Sequence, residues 1–420
     1  MRERGLRGGE KKALALLGLP TFGLALAITT VTTYLPVVAR SYVGSTVLIG
    51  VIVGIEGLMA LWVPLLAGSW SDRLRTRWGG RLPFLVVGTP VVALALLAIG
   101  LVRSVAVLVP VVAVFFAGYF LAYEPYRALY PDTVDDVIAG RAQSTQAVWR
   151  GAATGVALLG GGLLVGLADV APFAAASAVL TVAILVFVVT LLRRGLPDEE
   201  RREEDGSARD EDGSARDEAR KLWKLLRERP GLRAFLVANG LWELSLGALK
   251  TWVFLYLTRG LGLASTSSAL VIGAAALFVL GGAVVSGKVG DRIGRMRLLA
   301  LALPVYGLGL LVPFFITNHY VIAAITPVVT FAAGGVMALP YAVLIPLMPE
   351  DERGSLTGFY TFSRGVGTSL GPLLAGLAIT ATAGSAFSST DGYQAVWGVC
   401  AVAILLSLPF LRALRRHTEQ

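Results

Sequence analysis

The feature that most constrains this 420-residue chain is a series of long apolar segments, each able to cross a bilayer as a helix. A hydrocarbon core about 30 Å thick needs roughly 20 apolar residues in a helix. Twelve stretches qualify, at 13–37, 45–67, 83–102, 105–129, 142–168, 171–192, 232–258, 264–286, 298–317, 320–345, 354–379 and 392–413. Lipid offers a backbone no hydrogen-bond partners, so each must satisfy its own peptide groups as a helix. With 55% hydrophobic and 15% charged residues, a water-soluble domain of this size is excluded. The reading is an all-α membrane protein of twelve transmembrane helices. The first run, from Ala13, is too long for a signal peptide and has no small-residue cleavage site, so it is expected to be retained.

Between the sixth and seventh spans the composition changes to charged residues, with a seven-residue duplication at Asp205–Glu211 and Asp212–Glu218. Such a stretch has little to bury and reads as a tether. The alternation Lys221-Leu222-Trp223-Lys224-Leu225-Leu226-Arg227 fits a helix lying on an anionic membrane surface, or an ordinary juxtamembrane helix. The expected organisation is therefore a bundle at 1–192, a cytoplasmic linker at 193–231 and a second bundle at 232–420. With the N-terminus inside, the basic residues fall almost wholly on the inner side. The exceptions are Arg40, Arg103 and Arg259 in outer loops, and Arg127, Arg150, Lys250 and Arg364 within spans. Both termini are expected to be cytoplasmic. The net charge of +9 is thus explained by topology, and no nucleic-acid partner is expected.

The two halves echo each other. Gly68-x-x-x-Asp72-Arg73 follows span two, and Gly287-x-x-x-Asp291-Arg292 follows span eight. Pro125-Tyr126 and Pro340-Tyr341 are offset by 215 residues, and Arg150-Gly151 and Arg364-Gly365 by 214. Near-constant spacing indicates two homologous six-helix halves, the plan of an alternating-access transporter. On these motifs the chain resembles the major facilitator superfamily along its whole length. The resemblance implies two pseudo-symmetric six-helix bundles, with a cytoplasmic latch built from Asp72, Arg73, Arg77 and Arg81 in one half and Asp291, Arg292 and Arg295 in the other. There Asp72 and Asp291 would dock on helix starts of the opposite half, where unsatisfied N–H groups favour an anion.

A narrower resemblance lies in Pro125-x-Arg127-Ala128-Leu129-x-x-Asp132 and Arg77-Trp78-Gly79-Gly80-Arg81-Leu82-Pro83, which are similar to segments of sucrose transporters, although Gly80 and Leu82 replace two expected arginines. Those proteins are similar to the glycoside-pentoside-hexuronide cation symporters, which keep acids in spans two and four and bases in spans five and eleven. Glu56, Glu124, Arg150 and Arg364 occupy those spans here. The resemblance implies a sugar or glycoside symporter with Glu56 and Glu124 coupling H⁺ or Na⁺; the Gly-, Ala- and Arg-rich composition fits a prokaryotic plasma (inner) membrane, and a monomer is expected.

The residues support part of this by themselves. An ionised side chain in the bilayer is costly unless paired or wetted, which makes each a functional candidate. Glu124 sits about 8 Å inside its span, with Arg127 or Arg150 to balance it; it reads as a cation carrier or as one half of an ion pair bracing the inner gate. Arg127, near the span end, can also snorkel. In span seven, Glu243 and Lys250 are seven apart and share a face with Asn239 and Trp242 nearby. Aromatic faces beside hydrogen-bonding groups suit sugars, so Tyr126, Gln146, Trp149 and Trp242 are candidate lining, with Arg127, Arg150, Asn239, Glu243, Lys250 and Arg364 as polar contacts. Gly151, Gly155 and Gly160 to Gly162 are expected to permit close helix packing.

Other chemistries are not signalled. Cys400, the single cysteine, and the distant His319 and His417 define no metal site. Gly367-x-Ser369-x-Gly371 matches a hydrolase pattern without the strand-turn-helix or histidine that pattern requires, and reads as helix packing; no enzyme is expected. No phosphate-binding loop suggests ATP, and no cofactor beyond the coupling ion is expected. Two alternatives stay open: a proton-coupled efflux antiporter, and a lipid or lysolipid carrier.

Overall fold

The computed structural model describes residues 8–74, 76, 80–133, 139–194, 227, 229–344 and 353–418. Twelve long helices dominate them: α1 (Gly8–Ala39), α2 (Thr46–Arg73), α3 (Leu82–Leu101), α4 (Val105–Thr133), α5 (Ala139–Val165), α6 (Ala171–Arg194), α7 (Pro230–Leu255), α8 (Ser265–Ile293), α9 (Arg295–Phe315), α10 (His319–Leu344), α11 (Arg353–Thr382) and α12 (Ala395–Thr418). These correspond one to one with the predicted spans, and no strand occurs among the described residues. Eleven are apolar enough to be recognised as membrane spans on length and hydropathy alone. The exception is α7, long enough at 26 residues but diluted by Asn239, Glu243 and Lys250. The duplicated linker and its amphipathic stretch lie outside the described residues, apart from Arg193 and Arg194 at the end of α6, Arg227, Arg229 and the start of α7.

Packing divides the chain into two compact units. One comprises Met1–Leu35 and Trp62–Asp210; the other, Pro36–Leu61 and Glu211–Gln420. The units depart from a simple division at the linker, because the hairpin at 36–61, early in the sequence, packs with the C-terminal helices.

In the first unit, small residues set the helix spacings. A side chain at Gly161 of α5 would collide with the ring of Tyr34 on α1, whose hydroxyl donates to the Leu158 carbonyl at 2.5 Å. Gly18 likewise lies under the indole of Trp149, and Gly88 of α3 faces Ala122 of α4. Gly155 and Gly160 face open space, so only one of these three span-five glycines is needed for a close approach.

In the second unit, α7 packs mainly on α11 and α12, and α10 on α8 and α9. Gly367 and Gly371 of α11 press against the Gly240 and Leu244 carbonyls of α7. Between them, Ser369 donates to the Gly54 carbonyl of α2 at 2.9 Å. The G-x-S-x-G pattern therefore lies within a helix, and its small residues mark where α11 meets α7 and α2. Gly50 meets the Pro372 carbonyl and Gly57 that of Gly365, while Thr46 donates to the Gly376 carbonyl at 2.8 Å. Arg40 closes the hairpin, bonding to the Val43 and Gly44 carbonyls and to the Tyr393 hydroxyl at 3.0 Å. Gly294 joins α8 to α9 at φ 96°, a conformation that favours glycine.

Candidate functional site

In the first unit a polar cluster lies on α4 and α5. Glu124 and Arg127, three residues apart on one helical face, form an ion pair at 3.6 Å. The Glu124 side chain is 24% exposed and that of Arg127 57%, so the carboxylate is the more enclosed partner. Arg150 of α5 donates to the hydroxyl of Tyr123, and its guanidinium lies 5.5 Å from that ring's centroid. The Arg127 guanidinium lies 5.8 Å from the same ring. Tyr123 continues a ladder of rings up α4, stacked on Tyr119 at 5.4 Å, with Tyr119 on Phe115 at 6.3 Å. The four-residue spacing along a helix creates this ladder. Two cations thus meet one aromatic ring beside one carboxylate, an arrangement that the cation–π attraction favours.

The other predicted lining residues of this unit have different positions. Tyr126 is fully buried, its hydroxyl bonded to Thr21 at 2.7 Å and to the Leu17 carbonyl. It is a strut between α4 and α1. Gln146 is buried as well, at 7% exposure. Trp149 stands edge-on to Phe22 at 5.9 Å, half-buried against α1.

In the second unit four charged side chains pair across helices. Lys250 of α7 contacts both carboxylate oxygens of Glu56 on α2, at 3.3 and 3.5 Å. Arg364 of α11 donates through Nε to Glu243 of α7 at 2.8 Å. Glu243 and Lys250 do share a face of α7, as their spacing predicts, but each is bound to a different helix. The carboxylates are the enclosed members, with Glu56 12% and Glu243 18% exposed, against 40% for Lys250 and 51% for Arg364. Such pairing lets charges reside within a bilayer, because each ion offsets the desolvation of the other.

Around these pairs, Asn239 donates to Ser363 at 2.7 Å, fixing α7 to α11. Trp242 is 1% exposed, and its indole N–H is committed to Ser407 of α12 at 2.7 Å. Trp242, like Tyr126, is core rather than lining. Two tyrosines that sequence reasoning passed over do lie at this cluster. Tyr360 of α11 has the Arg364 guanidinium 5.8 Å from its ring centroid, and Tyr341 of α10 packs on Tyr360 at 5.3 Å. The signal for Tyr360 was its position one turn before Arg364.

Of the predicted latch, Asp72 and Arg73 are described for their helical backbone only, and Arg77 lies outside the described residues. Arg81 sits half-buried at the start of α3. In the second half, Asp291, in the last turn of α8, is held by Arg295, the first residue of α9, at 2.8 Å through Nη2 and 3.1 Å through Nε. Arg295 also reaches the Ala342 carbonyl at 3.4 Å, tying the loop to α10. Arg292 is exposed. No group of three His, Cys, Asp or Glu side chains able to hold a metal converges among the described residues.

A family profile described as Major Facilitator Superfamily matches residues 17–372 and 245–420. No curated protein sequence matches the chain. Among solved structures, a bacterial homologue of the human lysosomal transporter Spinster, in an inward-facing and occupied conformation, aligns over 98% of both chains with a TM-score of 0.79 and 14% identity. The nucleoside transporter NupG aligns over 96% of this chain and 98% of its own, with a TM-score of 0.73 and 14% identity. A bacterial homologue of the iron transporter ferroportin, inward-facing, aligns over 97% and 99%, with a TM-score of 0.69 and 18% identity. At these identities the likeness is one of fold.

Proposed function

The chain belongs to the major facilitator superfamily of alternating-access transporters, and we propose that it is a cation-coupled symporter of a sugar or glycoside. The observation that carries this reading is the set of three enclosed carboxylates, Glu56, Glu124 and Glu243, each beside a more exposed base. A carboxylate held by a movable cationic side chain binds H⁺ or Na⁺ when that side chain withdraws and releases it when the side chain returns. Coupling then requires that the withdrawal depend on substrate and on conformation, a free-energy difference of about 1–3 kcal/mol.

Glu124 and Glu56 are the coupling carboxylates in this scheme, with Arg127 and Lys250 as their respective displaceable partners. The Glu243–Arg364 pair, the shortest of the three, serves as the fixed polar contact for substrate. The protein is proposed to act as a monomer in a prokaryotic inner membrane with both termini cytoplasmic, in keeping with the distribution of its basic residues.

The test is uptake of labelled glucose, xylose, sucrose and lactose into proteoliposomes under an imposed inward gradient of protons or of sodium. Accumulation of one sugar under one gradient is expected and names the cation. No accumulation of any sugar under either gradient refutes the reading.

One observation favours a second reading. An apolar groove of about 660 Å³ in the first unit is lined by Val63, Leu66, Ala67, Trp70, Val91, Val114, Ala117, Gly118 and Leu121. A hydrophobic or amphiphilic substrate would suit it, as in an efflux antiporter or a lysolipid carrier. Gradient-dependent movement of a lipophilic cation or a lysolipid, with no sugar transported, is the result that would establish it.

A further inference from the structure

The internal repeat places tyrosines at matching positions, Tyr126 and Tyr341, each after a proline near the end of its helix. The two have diverged. Tyr126 is fully buried and hydrogen-bonded to α1, whereas Tyr341 is 42% exposed and leans on Tyr360 at an interplanar angle of 57°. Behind Tyr360, the fully buried Phe235 of α7 stacks at 6.4 Å and 27°. The turn that carries Tyr360 is itself pinned, because Ser363 donates to the Tyr360 carbonyl at 2.9 Å and accepts from Asn239 at 2.7 Å. Tyr341 therefore presents a partly open ring on a rigid aromatic base.

Beside this base stands the Glu243–Arg364 pair. The guanidinium donates through Nε to Glu243 Oε1, and its two Nη groups and Glu243 Oε2 are further donors and a further acceptor. The Arg364 side chain is 51% exposed, so these groups are accessible. Its charge is already matched by Glu243, which disfavours an anionic ligand: a carboxylate or phosphate would have to compete with Glu243 and leave it buried without a partner. A neutral ring with a C–H face and adjacent hydroxyls meets every feature, the face on an aromatic ring and the hydroxyls on a fork of donors and an acceptor.

We propose that Tyr341, supported by Tyr360, and the Glu243–Arg364 pair form a subsite for the neutral, polyhydroxylated ring of the substrate. The proposal rests on the sugar-transport reading above and assigns the stacking role expected of Trp242 to Tyr341. The ring of Tyr341 supplies the stacking surface. The guanidinium fork selects hydroxyls by geometry.

The test is equilibrium binding of labelled glucose, xylose, sucrose and lactose to the purified full-length protein and to Tyr341→Phe, Tyr341→Ala and Arg364→Lys, with melting temperatures recorded to confirm folding. Tyr341→Phe should bind within about twofold of wild type and Tyr341→Ala about tenfold more weakly, as expected for loss of a stacked ring. Arg364→Lys, which keeps the charge but loses the fork, should lose most of the preference for the bound sugar over its deoxy analogue. Unchanged binding in Tyr341→Ala, or equal losses in the Phe and Ala variants, overturns the subsite while leaving sugar transport standing. Binding with the expected pattern but no gradient-driven accumulation supports the subsite and refutes the coupled symporter. A wild-type protein that binds none of the four sugars overturns the subsite's ligand class and the sugar reading together.

Discussion

Removing one charge of the Glu56–Lys250 pair should cost more than removing both. At 3.3 Å and an effective dielectric of about 20, the Coulomb attraction is about 5 kcal/mol. Desolvation of both ions offsets much of it. Because the Lys250 side chain is 40% exposed, water screens the remainder, and a net coupling of about 1–2 kcal/mol is the reasonable expectation. Lys250→Met leaves the Glu56 carboxylate, 12% exposed, without its cation. Glu56→Gln leaves an ammonium facing an amide. The double variant leaves neither. Thermal melting of the purified protein, followed by tryptophan fluorescence, reads all three. With about 1 °C per kcal/mol for a chain of this size, each single variant should melt about 1–2 °C below wild type. The double variant should return to within about 0.5 °C of it. If the double variant's loss equals the sum of the single losses, the pair has no energetic coupling, and the displaceable-cation scheme at Glu56 falls with it.

Three other outcomes follow from the same geometry. Glu124→Gln, measured in proteoliposomes, should abolish gradient-driven accumulation while substrate exchange persists; accumulation that survives would show that Glu124 carries no coupling ion. Gly161→Ala should lower stability by about 1–3 kcal/mol through its collision with the Tyr34 ring, whereas Gly155→Ala, facing open space, should be neutral or slightly stabilising in the same melting assay. Tyr126→Phe should reduce stability by about 1–2 kcal/mol by removing the hydroxyl that bonds to Thr21 and to the Leu17 carbonyl, with substrate affinity unchanged; a large loss of affinity would return Tyr126 to the substrate lining.

The amino-acid sequence alone determined the helices, because in lipid an apolar stretch of bilayer length has one way to satisfy its backbone. It also determined the repeat, through motifs at matched spacing, and the place of each charge along its helix, since rise per residue is constant. The elements found match the twelve spans, including α7, whose polar residues keep it from being recognised as a membrane span on length and hydropathy alone. What the sequence could not supply was pairing between helices. Glu243 and Lys250 share a face, yet their partners are Arg364 and Glu56, because helix rotation and crossing decide which faces meet and local periodicity does not encode either.

The same limit explains the tyrosines and the hairpin. Tyr126 and Tyr341 occupy equivalent positions in the repeat, and only the neighbours of each, Leu17 and Thr21 in one case and Tyr360 in the other, make one a strut and leave the other exposed. Residues 36–61 read as part of the first bundle by order along the chain, but Gly50, Gly54 and Gly57 bring their backbone against α11, and contact rather than order places them in the second unit. Tertiary structure decided which of the many candidate side chains are enclosed, paired or open, since those properties belong to the space between helices, to which residues distant in the chain contribute jointly.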